Sequence, residues 1–173
     1  MRIAIMQPTW LPWIGYFDLI DQVDQFVFLD TVQYCRRSWH SRNRIKTKDG
    51  LHWISIPVKA GNRDQTTLMD AKISPSNQID KWRKTLAQAY AQAPARDTEL
   101  PFIRDRLSAL EDGASLADVN IQIIRMLMER LEITTPTVRA SELSVYEGRV
   151  DRLVGICREL GATSYLSPLG SVG

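Results

Sequence analysis

The sequence lacks the glycine motifs that bind phosphate in many nucleotide-binding proteins. Neither G-x-G-x-x-G nor G-x-x-x-x-G-K-[ST] occurs among the 173 residues, so Rossmann and P-loop phosphate sites are unsupported. The G-x-S-x-G elbow of the α/β-hydrolases is also missing. A phosphate or carboxylate site in this chain would therefore have to be built from other groups.

Cysteine and histidine are scarce. The two cysteines, Cys35 and Cys157, form no C-x-x-C pair, and the two histidines, His40 and His52, have no metal-ligand spacing. This pattern argues against a disulfide framework or a zinc site, and we predict no metal. Arg36 and Arg37 beside Cys35 would favour a thiolate, which leaves a Cys35–His40 nucleophile pair as one minor alternative.

Long apolar runs are also missing, as is a strong excess of charge. No stretch approaches the roughly 18 apolar residues of a membrane span. The N-terminal run MRIAIMQP is too brief for a signal-peptide core, so we expect a cytoplasmic protein with no membrane contact. The net charge of +2 argues against a general polyanion binder, so any affinity for phosphate must be local.

The order of predicted elements favours an α/β fold. Residues 2–7 form an apolar strand, a loop with two prolines and two tryptophans follows, and a helix then leads to a second strand at 24–30. This order predicts a three-layer fold with a mostly parallel sheet flanked by helices. Helical patterns in the middle, at residues 76–93, 99–110 and 115–131, predict a helical middle segment. Further strands are predicted at residues 52–58, 68–73, 137–141 and 164–167, and a last helix at 148–160.

We treat residues 1–173 as one domain, because no repeat, low-complexity tract or linker interrupts them. The chain stops at YLSPLGSVG, inside a turn that follows a predicted strand, and we therefore expect a truncated C-terminus.

The loop MQPTWLPWIGYFDLI at residues 6–20 is the first candidate site. In open α/β sheets ligands bind beyond the carboxyl ends of the strands, and a helix N-terminus offers unpaired N–H groups to an anion. Trp10 and Trp13 could stack on a ligand and Gly15 permits close backbone approach; the alternative is that the tryptophans only cover the core. The stretch also resembles the start of nucleotidyltransferase-type (HUP-like) proteins, but both histidines of their H-x-G-H signature are absent at Trp13 and Tyr16.

The second candidate is QYCRRSWHSRNRIK at residues 33–46, called the basic segment below. It directly follows the second predicted strand and contains no acid. Its cationic residues are Arg36, Arg37, His40, Arg42, Arg44 and Lys46. Arginine binds phosphate and carboxylate with a two-pronged fork, and Trp39 can stack on a base or sugar. The alternative is a solvated charged loop, in which these side chains bind nothing.

Asp30 ends the second predicted strand. A carboxylate there can anchor a hydroxyl or act as a general base, and the alternative is a turn cap with Thr31. Gln7 and Gln33 are uncharged candidates at strand ends.

Together, MQPTWLPWIGYFDLI, FVFLDTVQYCRRSWHSRNRIKT, HWISIPV and GRVDRLVGICRELGATSYLSPLG resemble the WbqC-like protein family. The resemblance covers both ends and most of the first 60 residues. It implies a bacterial, cytoplasmic protein encoded among O-antigen, other surface-polysaccharide or secondary-metabolite genes. The family's signature positions would fall at Gln7, Pro8, Pro12, Gly15, Tyr16, Asp30, Gln33, Arg37, Ser38, Trp39, Arg42, Asn43 and Arg44.

The role that the resemblance implies is amino-acid or acyl transfer onto an amino sugar carried by a nucleotide. In this hypothesis the arginines neutralise phosphate or carboxylate, Trp13 and Trp39 stack, and Asp30 is the base, assisted by His40. The substrate is then a small anionic molecule such as a nucleotide sugar, and no cofactor is identified. A non-catalytic module for nucleotide or single-stranded nucleic acid is the alternative function, and a scaffold protein without a ligand is a third.

Overall fold

The fold contains a parallel four-stranded sheet, two antiparallel strand pairs and five α-helices in the part of the chain that the structure describes. The computed structural model describes residues 1–61, 66–75 and 78–167. The strands are β1 (Arg2–Met6), β2 (Gln25–Phe28), β3 (Arg42–Thr47), β4 (Gly50–Ser55), β5 (Val58–Lys59), β6 (Lys72–Ile73), β7 (Thr137–Arg139) and β8 (Ser164–Tyr165). The helices are α1 (Ile14–Asp21), α2 (Ile79–Ala89), α3 (Arg96–Ser108), α4 (Leu116–Arg130) and α5 (Arg149–Glu159), with a 3₁₀ turn at Ala140–Glu142.

The chain divides into two compact units, and each is described by itself. Unit 1 contains Met1–Pro8, Pro12–Val32 and Ile124–Gly173, and unit 2 contains Thr9–Leu11 and Gln33–Ile123. In sequence, most of unit 2 is an insertion between β2 and β7. The single domain over residues 1–173 stays a prediction.

Unit 1 is built on the parallel sheet, whose strand order is β7-β2-β1-β8. All three strand pairings are parallel, as predicted, and the helix α1 makes the crossover from β1 to β2. The two central strands, β1 and β2, are mostly buried, and one core cluster joins Ile3, Ile5 and Val27 to Ile156 of α5. Counted along the chain, the strand order is 3-2-1-4, which reverses direction between β1 and β8. In doubly wound sheets this reversal marks the ligand-binding crevice.

Unit 2 contains two antiparallel pairs, β3–β4 and β5–β6, with α2, α3 and the start of α4. The hairpin of β3 and β4 was not predicted, because the basic segment has none of the apolar alternation that normally marks a strand. The predicted strand at 52–58 is divided in two, with Pro57 between the parts, since proline has no N–H to donate to a ladder.

The predicted helices are present at slightly different bounds. The helix predicted for residues 76–93 spans Ile79–Ala89 in the structure, and residues 76 and 77 lie outside the described part of the chain. The mixed α/β class and a parallel sheet flanked by helices are confirmed, while the HUP-like relationship stays a prediction. Within residues 1–61, 66–75 and 78–167, no helix combines the length and apolar character needed to cross a bilayer.

Candidate functional site

The second half of the basic segment forms β3, which pairs with β4 in a two-faced hairpin. Arg42 pairs with Ser55, Asn43 with Ile54 and Arg44 with Trp53. Because side chains alternate along a strand, Asn43 and Ile54 are buried on one face, whereas Arg44 and Trp53 are exposed on the other. The extended conformation thus puts Arg42 and Arg44 on the same face.

Four side chains of this region form what we call the arginine–tryptophan cluster: Arg42, Trp53, Arg44 and Trp39. The Arg42 guanidinium carbon lies 4.4 Å from the centre of the Trp53 ring. The Arg44 guanidinium carbon lies 5.6 Å from the Trp53 ring and 5.6 Å from the Trp39 ring. The two indole rings are 5.6 Å apart with an angle of 33° between their planes. Cations and aromatic faces therefore alternate within one compact cluster.

The cluster remains open to solvent. Trp39 is 44% exposed and Trp53 is 45% exposed, although aromatic rings of this size usually bury most of their surface. Cation–π contacts hold each guanidinium close to a ring without using up its hydrogen-bond donors. The Nε of Arg42 is buried and has no hydrogen-bond partner within the described residues. The cluster can therefore offer a flat apolar face and charged donors to the same ligand.

A buried amide attaches the N-terminal loop to this hairpin within unit 2. Asn43 Nδ2 donates to the backbone oxygens of Leu11 at 2.7 Å and Trp10 at 3.3 Å, and its Oδ1 accepts from the Arg44 N–H at 2.8 Å. The Trp10 N–H also donates to the Trp39 oxygen at 2.9 Å. The Asn43 side chain therefore holds the loop at Trp10 and Leu11 against β3 beside Arg44, and the Trp10 backbone in turn holds Trp39.

Trp10 itself is part of the core of unit 2. Its ring is fully buried, with its centre 5.4 Å from the ring of Trp82. The indole of Trp82 in turn donates to the Ser55 oxygen at 3.2 Å, which ties α2 to β4. Trp10 therefore covers the core, which is the alternative to ligand stacking that the sequence left open.

His40 is buried at the end of the turn before β3, with 4% of its surface exposed. Its Nδ1 accepts a hydrogen bond from the Cys35 backbone N–H at 3.3 Å, so the neutral ring carries its proton on Nε2. Burial lowers the pKa of His40 from 6.5 to about 4. The ring is consequently neutral at physiological pH. The contact is with the backbone of Cys35, whereas the Cys35 thiol lies 4.0 Å from the Gln33 oxygen.

The remaining predicted residues of the basic segment surround this turn. Arg37 is exposed and adopts a positive φ of 57°, a conformation that is uncommon for a side chain other than glycine. Ser38 Oγ donates to the Cys35 oxygen at 2.7 Å and accepts from the His40 N–H at 3.2 Å. Gln33 is exposed and forms an antiparallel bridge with Thr67. Arg37 is therefore the member of this group that presents charge to solvent.

The first candidate loop contributes other residues to unit 1. Gln7 is exposed just beyond β1, and its backbone oxygen accepts from the Tyr16 hydroxyl at 3.1 Å. Tyr16 is fully buried, which raises its pKa well above 10. Trp13 is 48% exposed, and its ring covers Gly15 so closely that an added Cβ there would lie 2.6 Å from the indole nitrogen. The missing side chain of Gly15 thus makes room for the Trp13 ring. Trp13 itself presents a half-exposed indole beyond β1.

Asp30 lies beyond β2 in unit 1 and is completely buried. Its carboxylate accepts from Arg139 Nε at 2.7 Å and from Ser141, from the backbone N–H at 3.0 Å and from Oγ at 2.7 Å. These contacts join the end of β2 to the end of β7, its neighbour in the sheet. The two carboxylate oxygens of Asp30 accept all three of these hydrogen bonds, and the role of Asp30 as a base stays a prediction.

The family model for the WbqC-like protein family matches residues 7–173. The chain belongs to the WbqC-like family. This WbqC-like protein is also 31% identical over 169 residues to "Uncharacterized protein Rv1507c" of Mycobacterium tuberculosis, an alignment covering 96% of the chain and 71% of that relative. No solved structure shows a significant match to the chain.

Reasoning from the sequence missed one important member of the cluster of this WbqC-like protein. Trp53 was assigned only to a strand, although its pairing with Arg44 places it in the centre of the cluster. The signal was present in the alternation of HWISIPV, where Trp53 and Ser55 share the face opposite Ile54. Arg139 and Ser141, the partners of Asp30, were missed because their contact spans more than a hundred residues.

Among the described residues of the WbqC-like protein, no three or more His, Cys, Asp and Glu side chains are grouped so as to hold a metal ion. The two candidate regions present cations, indoles, hydrogen-bond donors and the Asp30 carboxylate.

Proposed function

We propose that this WbqC-like protein is a transferase that adds an amino-acid or acyl group to an amino sugar carried by a nucleotide. The proposal assigns recognition of the nucleotide to the arginine–tryptophan cluster. Its place would be in the biosynthesis of bacterial surface polysaccharides, such as O-antigen, or of secondary metabolites.

The observation that supports the proposal is the cluster itself. A nucleotide combines a flat base with a diphosphate, and the cluster combines half-exposed indoles with guanidinium groups held 4.4 to 5.6 Å from the rings. A base would stack on an indole face, and the arginine forks would donate to phosphate oxygens. Arg37, exposed on the preceding turn, would add a further charge.

The transfer step makes modest demands on the protein. The sugar amine attacks the carbonyl carbon of an activated acyl or aminoacyl donor, the new C–N bond forms, and the leaving group departs with its bonding electrons. A base then takes the amine proton. Positioning of the two reactants supplies much of the remaining acceleration, and no nucleophile from the protein is required.

Asp30 in unit 1 and His40 in unit 2 are the bases proposed from the sequence. Both are buried and hydrogen-bonded, so either would have to give up an existing contact to receive the amine proton. The low pKa of His40, about 4, keeps its ring neutral but makes it a weak base. An activity measurement with Asp30→Asn and His40→Gln, each corrected for the folded fraction, distinguishes the two.

The binding part of the proposal is tested by calorimetry with UDP, dTDP and their amino-sugar conjugates. We expect Arg44→Gln and Trp53→Ala to weaken nucleotide binding by about tenfold or more, since each removes a charged hydrogen bond or a stacking surface. Neither should lower the melting temperature by more than a few degrees. Lys59→Gln on β5 is the charge-matched control and should bind normally. Unchanged affinity in Arg44→Gln and Trp53→Ala would contradict the proposal, as would binding to none of these nucleotides.

Single-stranded nucleic acid is the second candidate ligand, because two neighbouring indoles of one surface can receive successive bases. The salt dependence of binding separates the two functions. The affinity of a ligand that contacts several phosphates falls by orders of magnitude between about 50 and 200 mM salt, whereas a nucleotide sugar with one diphosphate shows a much shallower slope.

A further inference from the structure

A cavity lies between α2 and α3 in unit 2, apart from the residues of the arginine–tryptophan cluster. Its volume is about 370 Å³, within the range of about 300–1,000 Å³ that is usual for small-molecule sites. Leu86 and Leu107, both buried, lie at its base, and Leu100 and Pro101 of α3 complete the apolar wall.

The rest of the lining is charged. Three arginines, Arg83, Arg96 and Arg104, line the cavity with a single acid, Asp97. Each arginine is held by a neighbouring carboxylate: Arg96 by Asp97 at 2.8 Å and Arg104 by Asp105 at 3.1 Å. These ion pairs are solvent-exposed and of the kind that contributes about 0–1 kcal/mol, so a ligand can replace them cheaply.

Arg83 is attached to the opposite helix. Its Nη2 donates to Ser108 Oγ at 2.6 Å, and its Nη1 lies 3.4 Å from Asp80. Since Ser108 ends α3, this contact closes one side of the cavity and leaves the second pair of donors of the guanidinium weakly engaged.

Three cationic groups around an apolar interior match a ligand with an anionic head and an aliphatic tail. We propose that the α2–α3 cavity binds a small anionic amphiphile, an acyl chain that carries a carboxylate or a phosphate. The apolar wall takes the tail, and Arg96 and Arg104 donate to the head group. This site is independent of the nucleotide site proposed above, because the two share no residue.

The first test varies the length of the ligand's acyl chain. Calorimetric titration of the full chain with hexanoate, octanoate and decanoate should show affinity rising about fourfold for each added methylene, until the tail outgrows the cavity. Decanol, which has the same tail without the charge, should bind about tenfold more weakly than decanoate.

Two variants test whether the ligand binds in the cavity. Ala87 lies on α2, is exposed and lines the cavity, so Ala87→Phe should fill the space and abolish decanoate binding without disturbing the core. The double variant Arg96→Gln with Arg104→Gln should weaken decanoate binding by about tenfold and leave decanol unaffected. Lys84→Gln, on the same helix but outside the lining, is the control and should bind within about twofold of the unaltered chain.

Several results would overturn the proposal. Equal affinity for decanoate and decanol would remove the role of the arginines, and unchanged decanoate binding in Ala87→Phe would place the ligand elsewhere. Failure of all three carboxylates to bind below about 1 mM would exclude the site. A self-associating chain that Ala87→Phe makes monomeric, with no decanoate binding, would identify the cavity as a contact between copies.

Discussion

Replacing Asn43 should destabilise unit 2 more than any change on the exposed face of the same hairpin. Its amide makes three hydrogen bonds, two to the Trp10 and Leu11 oxygens and one from the Arg44 N–H. Each hydrogen bond contributes about 1 kcal/mol net, and buried groups left without a partner cost more. We therefore expect Asn43→Ala to lower the free energy of unfolding by about 2–4 kcal/mol.

The aspartate variant at this position sharpens the test. In Asn43→Asp one oxygen still accepts from Arg44, but the other faces two backbone oxygens where the amide donated. The folded state then favours the protonated acid, so the pKa of the new carboxyl is raised above its unfolded value of about 3.9. The stability that the protonated carboxyl supplies is fully present below about pH 3.9 and is lost as the pH rises through the folded-state pKa.

Urea denaturation followed by circular dichroism at several pH values measures both effects. The difference between Asn43→Asp and the unaltered chain should shrink as the pH falls from 7 towards about 4. Because both chains contain His40, its own titration cancels in this difference. Gln88→Ala on the exposed side of α2 is the control and should change stability by no more than about 0.5 kcal/mol. A loss below about 0.5 kcal/mol in Asn43→Ala would refute the account of the buried amide.

Three further predictions concern other residues. Burial lowers the pKa of His40 from 6.5 to about 4, so the stability gained from the neutral ring is fully present above about pH 6.5. As the pH falls from 6.5 to 4, the free energy of unfolding should decrease by about 3 kcal/mol. In His40→Gln this decrease should be absent when urea midpoints are measured across the same pH range. Asp30→Asn should cost about 3–5 kcal/mol because Arg139 loses its buried ion pair, and intact stability with lost activity would instead indicate a catalytic role. Gly155→Ala should lower stability by about 1–2 kcal/mol, since the new Cβ would lie 2.4 Å from the Tyr146 ring, and the same change made in Tyr146→Ala should cause no such loss relative to Tyr146→Ala alone; a stabilised single variant would contradict this packing argument.

Local patterns were sufficient for unit 1. The apolar runs of β1 and β2, separated by one helix, predict a parallel pair, and the structure contains it. The helical middle also follows from short-range rules, and its helices differ from the predicted bounds by only a few residues, whereas the break of the predicted strand 52–58 at Pro57 was missed.

The hairpin of the basic segment shows where such rules fail. Arg42, Arg44 and Lys46 on one face of β3 leave only Asn43 and Ile45 to mark the other, and this is too little alternation to predict a strand. Burial of Asp30 could not be predicted either, because its partners Arg139 and Ser141 come together only when β2 and β7 pair. In both cases the missing information lies in contacts between segments that are distant along the chain.

The first strand of the sheet has a partner at the far end of the sequence. β1 pairs with β8, and the amino group of Met1 donates to Thr163 Oγ1 at 2.8 Å. During synthesis, every residue of unit 2 leaves the ribosome before Thr137 begins β7, so unit 2 can fold while β1 still exposes an unpaired edge. An unpaired apolar edge invites pairing with other chains, so the nascent protein is most vulnerable to aggregation in this interval. Pairings across such long loops also form slowly, which lengthens that exposure.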